Sequence, residues 1–416
     1  MATKEKERPR AHFIGIGGIG MSALARYFLS EGWRVSGSDL SPSPTTNELK
    51  KERVAIRTGK HSANILQKFS PTLVVYNQAI PETNPELTAA KKMGLAVRSY
   101  PEMVGELTKK YKTIAIAGAH GKSTTTAMTA LILIEAGFDP TVIIGTKLKQ
   151  LGGKNFRKGK NAWLVLEADE FGGAFLNYSP YAATITNIDK EHLDFYKNFA
   201  NVRKTFEKFK ERCQRVVIAP NDAKLTAEIR RVLQVPGEHN VKNALNAYAL
   251  ASYLGIPKQM ILRALAKYSG AWRRMDYRGK LGKALVFDDY AHHPTEIKAT
   301  LAAFRQKWPK NALICVFQPH QADRLRRLFS DFKGAFKAAD RVLILPEYKV
   351  AGREERFDKK YNAAALARAA GAVYVADPDK DLKNLLKKVG LDQSPSPIIV
   401  MMGAGDIVNY TSKLIS

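Results

Sequence analysis

The sequence predicts an α/β protein of three domains, and three observations predict it. The chain has 416 residues, 45% of them apolar, which is enough for two or three packed cores. Short apolar runs alternate with helically spaced segments along its whole length, as βαβ units do. Two glycine-bearing strand-to-helix junctions, Gly15-x-Gly17-x-x-Gly20 and Gly118 to Thr126, each open a new alternation.

In the first alternation, strands are expected at Phe13 to Ile16, Arg34 to Ser36, Leu73 to Tyr76 and Ala96 to Arg98, forming one doubly wound domain over 1–110. A second domain, 111–272, begins with the strand "KTIAIAG". A helix through "AHGKSTTTAMTALILIEAG" follows it and stops at Gly137. Strands are expected at "AWLVLEAD", "AATITNI" and "RVVIAP", then a helix "VKNALNAYALASYLG" ended by Gly255 and Pro257. "YSGAWRRMDYRGKLG" reads as a Gly-rich basic linker. A third α/β domain, 273–416, places strands at "ALVFDDY", "NALICVFQP", "DRVLILPE", "AVYVAD" and "PIIVMMGAG".

Composition narrows the function classes. Cys213 and Cys315 form no CxxC or Cys/His spacing, which argues against a disulfide framework or a zinc site and fits a reducing cytoplasm. The charged start "MATKEKERPR" lacks a signal-peptide apolar core, and no run approaches the roughly 18 apolar residues of a membrane span. Sixty-six basic against 39 acidic residues give a net charge of +27, which attracts polyanions. The basic residues are spread along the chain without an aromatic-interleaved block, so nucleic acid is not the expected partner.

Four places collect residues suited to chemistry. Gly15 to Asp39 taken alone reads as a dinucleotide fingerprint, and therefore as an NAD site. "GAHGKSTTT" puts Gly118, His120, Gly121, Lys122, Ser123 and Thr124 at a helix start, where backbone N–H groups receive phosphate. Lys122 is expected on the β/γ phosphates of ATP and the Ser123 hydroxyl on Mg²⁺. Gly118 lies too close to Gly121 for the full GxxxxGK[ST] pattern. Glu167 ends a strand at the carboxyl edge of a sheet and suits Mg²⁺. His192 follows another strand; because Mg²⁺ prefers oxygen, residue chemistry favours a hydrogen-bonded surface histidine there. His239, Asn240 and Asn243 surround a helix start, where amides read a base edge or cap the helix, capping being favoured for Asn240. "DDYAHHPTEI" gathers Asp288, Asp289, Tyr290, His292 and His293 after a strand, more polar groups than a structural loop needs.

Taken in order, "GIGGIGMSALA", "GSD", "NPEL", "GAHGKSTTT", "EADE", "TNIDKEHLDFY", "PGEHNVKNALNA", "RRMDYRG", "DDYAHHPTEI", "VFQPH" and "GAGDI" resemble the Mur ligase family over nearly the whole chain. The resemblance implies a Rossmann-like N-terminal domain for a UDP-sugar, a P-loop-type central ATPase domain and a Rossmann-like C-terminal domain for an amino acid. It implies an ATP- and Mg²⁺-dependent ligase joining the lactyl carboxylate of UDP-N-acetylmuramate to an amine, L-alanine foremost, through an acyl phosphate in the cytoplasm. A monomer or weak homodimer is expected. Gly15, Gly17, Gly18 and Gly20 would cradle the UDP diphosphate, with Asp39 near the sugar nucleotide. Lys122 becomes the γ-phosphate lysine, and Ser123, Glu167 and His192 the metal ligands. His239, Asn240 and Asn243 would contact adenine, Arg274 clamp phosphate and Asp289 contact ribose. Tyr290, His292, His320 and Arg324 would lie near the adenine or the incoming amino acid.

Three departures accompany the resemblance. "FGGAF", Phe171 to Phe175, replaces a run of serine, aspartate and serine; Gln321 stands where arginine follows "QPH"; and the stretch from Phe209 to Pro236 is short for the family. The first of these keeps open a recycling ligase that uses a preformed peptide. An NAD dehydrogenase leaves "GAHGKST" unexplained, and a nucleic-acid-binding ATPase rests on charge alone.

Overall fold

The computed structural model describes residues 8–348, 358–388 and 395–415. Most of "MATKEKERPR", on which the signal-peptide expectation rests, lies outside the described residues. Three sheets carry the fold. The first holds β1 (Arg10–Ile14), β2 (Arg34–Asp39), β3 (Ala55–Thr58), β4 (Leu73–Tyr76) and β5 (Ala96–Ser99) in the order β3-β2-β1-β4-β5. All its pairings are parallel. The order reverses at β1, so the crevice between β1 and β4 is where such a sheet receives a ligand. β3, absent from the expected strands, alternates exposed and half-buried residues and lacks a continuous apolar run.

The second sheet holds β6 (Lys112–Ala117), β7 (Thr141–Leu148), β8 (Lys154–Arg157), β9 (Trp163–Glu167) and β10 (Ala182–Ile185), ordered β10-β6-β9-β7-β8. β8 runs antiparallel to β7; neither was expected, because Gly145 and polar residues interrupt β7 and β8 has a single apolar residue, Phe156. "RVVIAP" is not a strand. Val216 makes a single bridge to Ala183, and the chain then exposes Ile218 to 84% and meets Pro220, so the ladder gains no second rung.

The third sheet holds β11 (Asp276–Leu281), β12 (Ala284–Asp289), β13 (Leu313–Phe317), β14 (Arg341–Ile344), β15 (Val373–Tyr374) and β16 (Ile398–Met402), ordered β11-β12-β16-β13-β14-β15. The expected linker therefore ends in a strand: β11 folds back antiparallel on β12. Glycine at 279 and 282 hid the strand, although Gly282, with φ +60, makes the turn that closes it. "AVYVAD" shortens to two exposed residues at the sheet edge.

The chain divides into two compact units. One comprises Met1–Glu191, Asn198–Leu225 and Asn243–Leu265, and so carries the first two sheets. The other comprises His192–Lys197, Thr226–Lys242 and Ala266–Ser416 and carries the third. Within the first unit, Arg26 of the helix Ile19–Ser30 is buried and joins the two sheets' layers. Its guanidinium pairs with Glu52 at 3.0 Å and Glu48 at 3.2 Å and donates to the Asn155 side chain on β8. Asn155 in turn donates to the Ser22 hydroxyl at 3.0 Å. Charge-assisted bonds of this kind fix geometry more than they add stability. Among the described residues no helix is long and apolar enough to cross a membrane.

Candidate active site

The nucleotide loop grows out of β6. Its four buried apolar residues, Ile114 to Ala117, lead to Gly118, whose φ of +130 favours glycine. A Cβ at Gly118 would stand 2.1 Å from Thr186 Oγ1, and one at Gly121, with φ +82, 2.2 Å from Asn243 Oδ1. The loop is thus clamped on both sides. Thr186 Oγ1 donates to His120 O at 2.6 Å, and the Asn187 side chain both donates to His120 O at 2.8 Å and accepts from His120 N at 3.0 Å. His120 Nε2 lies 3.0 Å from Asp189 Oδ2. The "TNID" segment therefore pins the loop, a role that sequence reasoning gave to neither Thr186 nor Asn187.

Lys122 opens the helix Lys122–Glu135. Its Nζ donates to Gly118 O at 2.7 Å, Ala119 O at 3.2 Å and Glu170 Oε2 at 2.7 Å. Burial opposes the charge on Lys122, but Glu170, Asp169 and Glu167 hold its pKa above the usual lysine value. Burial, with the Asp169 charge, pushes Glu170 up to about 7 in spite of Lys122. The two shifts pull the pair toward different protonation states. Three facing carboxylates decide for a permanently charged Lys122, with Glu170 as the member that titrates. Asp169 and Glu170 belong to the acid-rich "EADE", a signal from which only Glu167 was singled out.

Glu167 is raised by burial against the pull of Lys122. Its oxygens accept from Ser123 Oγ at 2.9 Å and from Gly145 N at 2.7 Å. Gly145 has no Cβ because one would fall 2.7 Å from Glu167 Oε1. The pair offers two oxygen donors beside a lysine at a helix start, a donor set that fits Mg²⁺ on a phosphate. Thr124 follows in the same buried first turn.

The first sheet carries the other glycine loop. Gly15 has φ +79 and donates to Ser38 O at 2.8 Å; Gly17 N donates to Asp39 Oδ2 at 2.8 Å. Asp39 thus closes the loop. Gly18 precedes the helix Ile19–Ser30, with the Asn77 amide 3.1 Å from where its Cβ would be. Gly20 makes room for the Tyr100 ring, 2.8 Å from its missing Cβ, so it serves packing. Beside this loop, Gln78 Nε2 lies 3.2 Å from where a Cβ of Gly172 would be. Gly172 and Gly173, both left-handed at φ +62 and +70, shape the departure "FGGAF". Phe175 of that run stacks on Phe209 at 4.5 Å.

In the second unit, His192 sits in the left-handed region, φ +53, at the start of the helix Leu193–Tyr196. Asn240 lies inside the helix Glu238–Tyr253 and donates to Pro236 O at 2.7 Å, so it is not the helix cap that was expected, because the helix starts two residues earlier. Asp289 is buried, and burial raises its pKa. Its oxygens accept from Met275 N and Ala291 N, both at 2.9 Å, and from Thr300 Oγ1 at 3.2 Å. Arg274 lies 3.8 Å from Glu296, with its guanidinium 5.3 Å from the Tyr290 ring centre. His292 Nδ1 lies 3.0 Å from Tyr290 O, and its ring meets that of His320 at 6.1 Å. His320 stacks on Tyr348 at 5.5 Å, and Arg324 donates to His320 O at 3.2 Å. Gln321, with φ +68, precedes the helix Ala322–Arg327. Two residues were missed here: Tyr348, and the buried Arg273, which donates to the carbonyls of Gly403 and Gly405.

His239 is held neutral. Burial, then the Arg274 charge, lowers its pKa from 6.5 to about 4. The folded value lies below the unfolded one, so the stability is fully present above pH 6.5 and is lost as pH falls toward 4. Discounted for partial exposure, His239→Gln is expected to remove about 2 kcal/mol of that acid-limb dependence. Urea unfolding at intervals between those pH values checks this, and an unchanged slope contradicts it.

Comparison with known proteins agrees with the layout. Family models match in three segments: the Mur ligase family, catalytic domain, at 10–112; the Mur ligase middle domain at 116–235; and the Mur ligase, glutamate ligase domain at 273–405. The chain is 37% identical to a UDP-N-acetylmuramate--L-alanine ligase of Aquifex aeolicus, over 97% of this chain and 96% of that protein. It is 38% identical to the protein of the same name from Desulfosudis oleivorans, over 97% of each. The crystal structure of the UDP-N-acetylmuramate-alanine ligase of Thermotoga maritima superposes with a TM-score of 0.80 at 28% identity, covering 98% of both chains. A murein peptide ligase of Psychrobacter arcticus shares the fold, with a TM-score of 0.68 at 23% identity over 98% of both.

Proposed function

This chain belongs to the Mur ligase family, and from that premise we propose that it is an ATP-dependent ligase joining L-alanine to the lactyl carboxylate of UDP-N-acetylmuramate in peptidoglycan precursor synthesis. The observation that carries the reading is the Ser123–Glu167 pair beside Lys122, on a unit that also holds a second glycine loop for a sugar nucleotide. The shared names of relatives over nearly the full chain support L-alanine as the amine.

A carboxylate does not react with an amine at neutral pH, so it must first carry a leaving group. A carboxylate oxygen attacks the γ-phosphorus of ATP, ADP leaves, and an acyl phosphate forms. The alanine nitrogen then attacks the acyl carbon; the tetrahedral intermediate loses its proton and expels phosphate, leaving the amide. Mg²⁺, when bound, neutralises phosphate oxygens in such a transfer. Ser123 and Glu167 would hold it, with His192 as the family's further ligand. Lys122 would leave Glu170 for the γ-phosphate, where its fixed charge stabilises the transferring group. Arg274 would clamp phosphate in the same sense, and His239, Asn240, Asn243 and Asp289 would seat the nucleoside. Tyr290, His292, His320 and Arg324 would bound the amine side. Gly15, Gly17 and Gly18 would receive the UDP diphosphate at a helix start, which reassigns this glycine loop from NAD. The reading places the protein in the cytoplasm, as a monomer or weak homodimer.

Gly172 sets backbone rather than a side chain beside Gln78, and this departure in "FGGAF" favours a second reading in which the amine is a preformed peptide. Phosphate release with UDP-N-acetylmuramate and competing amines separates the two. L-alanine is expected to give the highest kcat/KM, with one phosphate per amide. Preference for the tripeptide supports the second reading, and no stimulation by any amine defeats both.

A further inference from the structure

Buried polar side chains meet at the end of the first sheet. His12 on β1 places Nδ1 2.7 Å from Ser36 Oγ and Nε2 2.9 Å from Glu86 Oε2. Ser38 Oγ donates to the same carboxylate oxygen at 2.6 Å. The other oxygen faces His61 Nδ1 at 3.0 Å and accepts from Ser62 N at 3.3 Å. One carboxylate thus gathers donors from four residues. Burial works against its charge, but the bonds from His12, Ser38 and His61 hold its pKa below the usual glutamate value. Glu86 is set there by its own motif: Asn84 caps the helix Pro85–Lys92 and accepts from Glu86 N. A well-packed apolar cluster of the same volume would serve stability as well as a buried ionic one, so stability alone does not account for the network.

His61 is where the network reaches the surface. Its side chain is 8% exposed, against none for Glu86 and His12. With Nδ1 turned to Glu86, the outward nitrogen is Nε2, which meets no hydrogen-bonding group among the described residues and is not sealed from solvent. The surroundings are those of the glycine loop. Gly15 N and Ile16 N donate to Ser38 O at 2.8 and 3.1 Å, while Ser38 Oγ lies 3.2 Å from His61 Nδ1. Gly59 N donates to Asp39 O at 2.9 Å, and Asp39 Oδ2 holds Gly17 N. The His61 segment, Ser38–Asp39 and the glycine loop form one bonded rim on the carboxyl edge of the sheet.

We propose that Glu86 is a positioning residue for substrate binding: it fixes His61 through Nδ1 so that Nε2 hydrogen-bonds the nucleoside diphosphate half of the substrate. The inference rests on the sugar-nucleotide reading of the glycine loop. A carboxylate behind an imidazole sets both ring orientation and the nitrogen that carries the proton. Glu86 itself is sealed from the ligand and acts only through His61.

Calorimetric titration of the full chain with UDP, and separately with ATP, tests this. His61→Ala is expected to weaken UDP about tenfold and to leave ATP unchanged. Glu86→Gln, which keeps the shape and removes the charge, is expected to weaken UDP about three- to tenfold in the parent and to add nothing in the His61→Ala background. Unchanged UDP affinity in His61→Ala overturns the inference, whether or not Glu86→Gln folds. Equal losses from Glu86→Gln in both backgrounds also overturn it, because they mark a structural role. Failure of the parent protein to bind UDP at all defeats the sugar-nucleotide reading, and the inference with it.

Discussion

Lys122→Ala is expected to lower turnover by at least about 10²- to 10³-fold while leaving UDP affinity within about twofold of the parent. Lys122 Nζ makes all three of its bonds to the nucleotide loop and Glu170, and none to the loop Gly15–Gly20. Its loss therefore removes a cation from the phosphoryl site alone. The fold should survive, because Glu170, already pushed up to about 7, takes a proton when its partner is gone. Parallel measurements of phosphate release and UDP titration check this. Equal loss of both would mean that the two anion sites are not separate.

Gly118→Ala carries the largest expected effect on stability. The backbone at φ +130 resists any side chain, and the new methyl would sit 2.1 Å from Thr186 Oγ1 and 3.0 Å from Asn187 O. Strain and overpacking together are worth about 2–5 kcal/mol, a fall in Tm on the order of 10 °C for a unit of this size. Because Thr186 and Asn187 hold the loop, ATP affinity should fall with it. Gly32→Ala is the matched reference: its φ is +83, but nothing lies within 4 Å of its Cβ, so it should cost about 1 kcal/mol. Equal melting of the two variants would show that the clamp around Gly118 is not tight.

The parts legible in the sequence share a physical cause. Strands buried on both faces, such as β6 and β13, are continuous apolar runs and announce themselves. β3, β8 and β11 are edge strands that lack a continuous apolar run, so their local pattern says little. Lys122, Ser123 and Glu167 stand out in the sequence because a phosphate loop and a strand-end carboxylate call for fixed residue types, and the structure brings the three side chains together. Thr186, Asn187 and Arg273 do not stand out, because they act by bonding backbone groups of segments that only the fold brings to them. Asp39 and Gly20 were expected near the sugar nucleotide from the family resemblance; what that expectation did not contain is that Asp39 Oδ2 holds Gly17 N and that Gly20 lies against the Tyr100 ring. "NPEL" entered only as one segment of the family series, and nothing in it announced the Asn84 cap or the buried carboxylate of Glu86.

The central claim is that ATP activates the substrate's carboxylate through an acyl phosphate before an amine displaces phosphate. UDP-N-acetylmuramate labelled with oxygen-18 in both carboxylate oxygens, incubated with the enzyme, ATP and L-alanine, tests it most directly by mass analysis of the phosphate released. The account predicts that each phosphate carries one labelled oxygen and that each amide formed retains the other. Unlabelled phosphate alongside amide formation would contradict it.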